Sequence, residues 1–595
     1  MAKESRKRIA VIDYDLCSPK KCGNWHCEQV CPVNRSGKEC ITHRAEEKPN
    51  ISEELCIGCL ICEKKCPFNA ISIVNLTLEL EEPIHQFGKN LFRLHRLPLP
   101  KESNVVGIVG RNGIGKTTAV RILSGELIPN LGNFGEKPSW EKVIAYFRGK
   151  EIQAFFKKLE NKEIAIAIKP QSIEKIPHAA KGKVLDLLKK VAEEKTAIET
   201  AKKLNITGIL DRQLEQLSGG ELQKVAIAAT GMKNADFYFF DEPSSYLDIR
   251  ERLRVAEFIR SIAASGKAVL VVEHDLIMLD YLSDFIHLMY GKPGVFGVIS
   301  QINTTREGIN SYLDGYSREE NYRFRSYAIE FYSRAARETK KGKMLASWPS
   351  MAKKLGDFSL EVEQNSINQG EVIGILGPNG IGKTTFVGML AGALQPDGKE
   401  KIDLKLKVSF KPQYLEIKSE KTVAELFVEE KINTEDAETK NTIIKPLDLE
   451  QLYEKKINLL SGGELQRLAI GLALARKSDL ILMDEPSANL DVEQRLNVAK
   501  TIRSIVESRG ISALIVDHDL LFMDYIADRL VVFEGTPAKH GIAKGPFDME
   551  KGMNLLLSEL GITLRRDKNT KRPRINKLDS VLDREQKQGG KYYYE

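Results

Sequence analysis

The chain has 595 residues, more than one hydrophobic core can serve, and at roughly 150 residues per domain it should fold as three or four domains. Its 42% of hydrophobic residues are broken into short runs, which excludes a helical membrane protein, and the basic N-terminus has no apolar secretory core. A net charge of +7 among 89 basic and 82 acidic residues is only a weak lean toward an anionic partner, and the expected location is the cytoplasm.

All nine cysteines fall between Cys17 and Cys66, which sets off a first domain over residues 1–80. In a reducing compartment such clustering points to metal ligation before disulfides. Cys56, Cys59, Cys62 and Cys66-Pro67 have the regular C-x2-C-x2-C-x3-C-P spacing, while Cys17, Cys22, Cys27 and Cys31-Pro32 form a looser run. The spacing resembles that of two-cluster ferredoxins, in which the cysteine before proline serves the other cube. That resemblance implies one [4Fe-4S] cluster on Cys31, Cys56, Cys59 and Cys62, a second on Cys17, Cys22, Cys27 and Cys66, and Cys40 left over. Two tetrahedral zinc sites are the competing reading of the same thiolates.

Two phosphate-loop motifs follow, GRNGIGKTT (110–118) and GPNGIGKTT (377–385), each between a strand-like run and a helical pattern. Backbone around Asn112, Gly113, Gly115 and Thr118, and around Asn379, Gly380, Gly382 and Thr385, should wrap phosphates. Lys116 and Lys383 should reach the β and γ phosphates, and Thr117 and Thr384 should offer hydroxyls to Mg2+. The apolar runs FYFFDEP (237–243) and LILMDEP (480–486) predict buried parallel strands ending in paired carboxylates. Asp241 and Asp484 suit Mg2+; Glu242 and Glu485 suit polarising the attacking water.

The repeated heptapeptide LSGGELQ (217–223 and 460–466) resembles the signature of ABC-type ATPases, and the rest of that set is present. Gln171 and Gln413 stand in Q-loops as further Mg2+ ligands, SSYLD and SANLD are D-loops, and His274 and His518 are switch histidines. The resemblance implies two composite ATP sites. Ser461, Gly462 and Gly463 would complete the pocket of Lys116, and Ser218, Gly219 and Gly220 that of Lys383. The first copy is longer between its lysine and its Q-loop, and residues 133–161 are expected to form a surface helix-loop-helix with exposed aromatics, suited to docking. Phe87 is the expected adenine-stacking aromatic of the first copy, with Trp348 the weaker candidate in the second.

A cysteine domain fused to twin ABC halves resembles the class E ABC ATPases, or RNase L inhibitor proteins, which split ribosomes. REGINSYLDGY (306–316), FRLHRLP (92–98) and LRRDKNTKRPRINKL (564–578) extend the likeness over nearly the whole chain. The expected architecture is multidomain α/β, with a ferredoxin-like iron-sulfur domain followed by two head-to-tail ABC-type P-loop ATPase domains with hinge segments. The first ATPase domain spans 81–305, a hinge 306–340, the second ATPase domain 341–563 and a C-terminal hinge 564–595. Expected cofactors are two [4Fe-4S] clusters, Mg2+ and two ATP. Expected partners are the small ribosomal subunit and whole ribosome through rRNA and proteins, a class-one release factor or Pelota, and initiation factors, with no membrane and a monomeric chain. Arg565, Arg566, Lys568, Lys571, Arg572, Arg574 and Lys577 could contact rRNA phosphates or pair with acids inside the protein. The cysteine-free ATPase halves and 29% charged residues lean toward an archaeal source. The alternative function is an ATP-gated electron-transfer protein, but no flavin or haem signature supplies a third redox site.

Overall fold

The computed structural model describes residues 8–43, 47–75, 82–331, 343–397, 406–413 and 419–593; the expected domain boundaries near 80 and 340 fall outside them. Two lobes share one plan, each an eight-stranded sheet. In the first lobe the order is His85–Gln86, Arg93–His95, Phe296–Thr304, Phe285–Lys292, Val105–Gly110, Ala268–Val272, Phe237–Asp241, Ile166–Lys169. The second lobe repeats this with Val372–Leu376, Ser512–Val516, Leu480–Asp484 and Val408–Lys411 as its last four strands.

The strands from Phe285–Lys292 to Ile166–Lys169 run parallel, and the central ones are buried throughout, which is why they read as unbroken apolar runs. Register then places the chemistry. Val272 pairs with both Ile108 and Asp241, and Val516 with both Ile375 and Asp484. Phosphate loop, paired carboxylates and switch histidine therefore leave each sheet at the same carboxyl edge, where open α/β sheets bind ligands.

The longer stretch of the first lobe forms helices Trp140–Tyr146 and Ile152–Glu160, the first capped by Ser139 accepting from the Lys142 N–H. Of the aromatics expected at its surface Phe134 is exposed, but those of the two helices turn inward. Phe147 and Phe156 are buried against each other and Trp140, and Phe155 meets Phe237 of the sheet edge-on. Lys142, Lys150, Lys157 and Lys158 remain exposed, so this is an amphipathic pair with a basic outer face.

In the N-terminal domain, Arg8–Ile12 pairs antiparallel with Ile71–Asn75. Alternation along the first strand sends Ala10 and Ile12 toward the cysteines and Ile9 and Val11 onto Tyr290, Phe296 and Val298 of the first lobe. One buried side chain fastens the joint. Asn90 donates from Nδ2 to the carbonyls of Ala10 and Ile51 and accepts from the Ile51 N–H, while its own carbonyl accepts from the Ile12 N–H. Arg93 adds a forked pair to Glu53, and Lys292 reaches Glu63.

At the other end, strands Leu564–Arg566 and Pro573–Ile575 pair with each other. Here the arginines are committed within the protein. Arg572 and Arg574 pair with Asp280 of the first lobe and Arg566 with Asp524 of the second, while Asp567 holds Arg306 and Arg574. For these three the internal-pairing alternative holds; Arg565 is half-buried, and Lys568, Lys571 and Lys577 are exposed.

Candidate functional site: two nucleotide pockets and a cysteine-lined hollow

Each phosphate loop is wound by glycines at positive φ. Gly115 (φ 93°) and Gly382 (φ 101°) open the helices Lys116–Leu123 and Lys383–Leu390, and a Cβ there would lie 2.7 Å from Phe92 Cζ or 2.9 Å from Phe358 Cζ. Lys116 Nζ donates to the carbonyls of Gly110 and Arg111 and to Asn112 Oδ1, and Lys383 Nζ donates to those of Gly377 and Pro378. Burial pulls both ammonium groups down to about 8. Thr384 donates its hydroxyl to Asp484, whereas Thr117 is exposed.

The residues proposed from sequence around the γ-phosphate gather in both lobes. Gln171 Nε2 donates to Glu242 Oε1 at 3.0 Å, and Gln413 to Glu485 at 2.8 Å. His274 Nε2 lies 3.7 Å from Glu242 and His518 Nε2 3.8 Å from Glu485. Burial drives both histidines well below the usual imidazole range, so each is neutral at pH 7; His274 then accepts from Lys116 at 3.0 Å. Burial and the charge of Glu242 push Asp241 up to about 7; burial also raises Asp484, and burial with Asp517 and Asp484 raises Glu485. A divalent cation would relieve those carboxylates.

Ser218 and Ser461 cap the helices Gly219–Gly231 and Gly462–Ala475 through reciprocal boxes with Glu221 and Glu464. A Cβ on Gly220 would lie 2.9 Å from the Tyr246 carbonyl, and one on Gly463 2.9 Å from that of Asn489. These D-loops cross between lobes. Asn379 donates its main-chain N–H to Asp248 at 2.9 Å and its Nδ2 to the Tyr246 carbonyl at 3.4 Å. Asn112 donates its N–H to Asp491 at 3.1 Å. The D-loop of each lobe thus abuts the phosphate loop of the other, with its own signature glycines packed behind it. Arg252 with Asp275 and Arg495 with Asp519 line the same interface, and Arg252 also reaches the His518 carbonyl.

Sequence reading did not assign roles to Asp248, Asp491, Lys169, Lys411, Gln223 or Gln466, although the internal repeat shows each pair at a matching place. Trp348 is a different case. Only 3% exposed, it packs edge-on against Phe386 and donates Nε1 to the Glu363 carbonyl, so it faces the core and not a base. Phe87 is 47% exposed beside Phe92; its counterpart in the second lobe's outer hairpin is Leu355, 43% exposed.

In the N-terminal domain Cys31, Cys40, Cys56, Cys59 and Cys62 line one hollow with apolar walls from Val33, Ile41, Ile51, Ile57 and Ile73. Burial pushes the Cys62 and Cys40 thiols up to about 12, with Cys56 adding to both. Cys27 is pushed to the same level by burial, and its sulfur neighbours are Cys17, Cys22 and Cys66. Cys27 also acts on Cys62, so the two sets of sulfurs adjoin. Among the described residues no three His, Cys, Asp or Glu side chains gather round a single ion position. An apolar hollow ringed by several thiols suits a cluster of several irons, each taking one thiolate.

Paired carboxylates, phosphate loops and signature helices repeated in both lobes define an ATP-hydrolysing ABC-type ATPase, here joined to a 4Fe-4S-binding domain. The ABC transporter family description matches residues 100–245 and 361–488, a possible Fer4-like domain of RNase L inhibitor matches 8–39, and a 4Fe-4S binding domain matches 49–72. An uncharacterised ABC transporter ATP-binding protein of Methanocaldococcus jannaschii is 52% identical over 99% of this chain and 97% of its own length. Translation initiation factor RLI1 of Saccharomyces cerevisiae is 46% identical over 99% of both chains. Among solved structures, a model of ribosome-bound archaeal Pelota and ABCE1 superposes with TM-score 0.94 and 54% identity over 99% of this chain and all of the other. The complex of archaeal ribosomal stalk protein aP1 and ribosome recycling factor aABCE1 gives 0.82 and 53% over 87% of this chain and all of the other. The chain belongs to the RNase L inhibitor family of class E ABC ATPases. Among the described residues no helix is long and apolar enough to cross a membrane.

Proposed function

We propose that this protein is a ribosome-recycling ATPase of the cytoplasm, working as a monomer that separates ribosomal subunits after termination or stalling. The observation that carries the reading is reciprocal completion of the pockets: Asp248 and Asp491 each hold the opposite phosphate loop while the cysteine domain is fastened to the first lobe by Asn90. ATP held by both lobes would favour the closed pair, and whatever is fastened to one lobe would move with it.

In this reading Lys116, Thr117, Gln171, Asp241, Glu242 and His274 face Ser461, Gly462 and Gly463, and the second site reverses the roles. Glu242 and Glu485 polarise the attacking water, neutral His274 and His518 sit behind the γ-phosphate, and Asp241 and Asp484 take Mg2+. The two sulfur groups would each hold one [4Fe-4S] cluster, which would stiffen the domain that presses on the ribosome. Residues 306–340 and 564–595 act as hinges. Their link is visible in Arg306 and Asn310 meeting Asp567. Relatives solved with Pelota on the ribosome and with a stalk protein point to the same partners here, with a class-one release factor and initiation factors as further ones.

A density gradient tests the proposal. Protein with ATP and Pelota or a release factor should convert whole ribosomes into subunits, and the Glu242→Gln, Glu485→Gln pair should stay on the small subunit. Cosedimentation with neither ribosomes nor subunits would overturn it.

A further inference from the structure

Lysine is almost never fully buried unless paired, because withdrawing an ammonium from water costs several kcal/mol. Lys169 and Lys411 are each 1% exposed, and among the described residues neither makes an ion pair. Both close the last strand of their sheet, next to the strand that carries the paired carboxylates, in register with Phe240 and Met483. From there each ammonium reaches one residue further along. Lys169 Nζ donates to the Asp241 carbonyl at 2.7 Å; Lys411 Nζ donates to the Asp484 carbonyl at 2.7 Å and the Glu485 carbonyl at 3.2 Å.

Those carbonyls flank an unusual piece of backbone. Glu242 and Glu485 have φ of 45° and 47°, a left-handed conformation that costs a non-glycine residue about 1 kcal/mol or more and persists only where its surroundings enforce it. A second grip comes from the signature helix, where Gln223 and Gln466 donate Nε2 to the carbonyl of the same glutamate, both at 2.7 Å. Two residues beyond each lysine, Gln171 and Gln413 hold the glutamate's carboxylate. The same buried cation at the same strained turn in both lobes points to a shared requirement of the site.

We infer that Lys169 and Lys411 are positioning residues for ATP hydrolysis, each pinning the left-handed turn that aims the glutamate of its own lobe. The inference rests on reading Glu242 and Glu485 as the water-polarising groups. A misplacement of about 1 Å at such a group lowers turnover as much as a hundredfold without weakening substrate binding.

The test is steady-state ATP hydrolysis by the full chain carrying Lys169→Met and Lys411→Met, which keep length and remove the donor. Turnover should fall by about tenfold to a hundredfold with KM for ATP within about threefold. Adding Lys169→Met and Lys411→Met to the Glu242→Gln, Glu485→Gln protein should change the residual rate by less than about twofold, because the positioned groups are gone. Should the methionine forms fail to fold, Lys169→Arg and Lys411→Arg restore a donor, and turnover within about fivefold of the parent is expected. Methionine forms with unchanged turnover, a loss confined to KM, an equal loss in the glutamine background, or folded arginine forms still tenfold down would each overturn the assignment. If the glutamine exchanges alone leave turnover intact, the reading of the glutamates fails instead, and the two failures are told apart.

Discussion

The carboxylate of Asp248 in the first lobe accepts a 2.9 Å hydrogen bond from the main-chain N–H of Asn379 in the second. Asp491 does the same for Asn112. Each aspartate also caps the long helix that follows it, Ile249–Ala264 or Val492–Arg509. One oxygen serves its own lobe and the other serves the opposite pocket.

Exchange of these aspartates should therefore act across the interface. Asp248→Ala should weaken ATP at the Lys383 pocket about tenfold, the worth of one charge-assisted hydrogen bond, and leave the Lys116 pocket within about twofold. Asp491→Ala should do the reverse. Asp248→Ser, which retains a cap worth about 1 kcal/mol, separates helix stability from the cross-lobe contact. Photolabelling with azido-ATP followed by proteolytic separation of the lobes reads the two pockets. Loss confined to the mutated lobe's own pocket would contradict the arrangement.

The phosphate-loop lysines set a pH dependence. With the empty-pocket ammonium groups of Lys116 and Lys383 held at about 8 by burial, the folded protein releases those protons before the unfolded chain does. Nucleotide-free protein consequently gains stability from these groups as pH rises above 8 toward the ordinary lysine value. ATP reverses the preference, since its phosphates require the charged form. From pH 7 to 9 the affinity for ATP should fall about tenfold, with proton uptake on binding near pH 8.5. Calorimetry in two buffers of different ionisation enthalpy measures the uptake; none at pH 8.5 would count against it.

Base recognition should differ between the pockets. Phe87 offers a ring where Leu355 offers only an aliphatic edge, and an aromatic stack is worth roughly 0.5–1.5 kcal/mol. Phe87→Ala should weaken ATP about fivefold at the first pocket while leaving inorganic triphosphate binding unchanged. Leu355→Phe should tighten ATP at the second pocket by a similar factor. Competition between ATP and triphosphate, read pocket by pocket, decides it.

What was legible in the sequence was chemistry written in contiguous residues. GIGKTT, LSGGELQ and the apolar strands ending in DEP carry their structural context with them, so the phosphate loops, capped helices and buried strands appear in the structure at those places. Distant partnerships were not legible. Lys169 looks like the polar end of a strand until Asp241, far along the chain, is seen to need it, and Arg572 looks available for rRNA until Asp280 is found beside it. Trp348 precedes the second phosphate loop in the chain, yet the hairpin of Met351–Leu355 and Phe358–Val362 comes between and turns the indole inward. The inward aromatics of residues 140–156 misled for a related reason: helical periodicity gives a face but not the direction in which it points.

The cysteine domain is moored to the first lobe by Asn90, Arg93 and the Ile9–Val11 strand face, side chains other than the cysteines. Attachment and internal bracing thus use different side chains on the same strands, since Ile51 both meets Asn90 and walls the cysteine hollow. If the cysteines hold iron-sulfur clusters as proposed, loss of the irons would loosen the domain's interior while Asn90 and Arg93 still tie it to the first lobe.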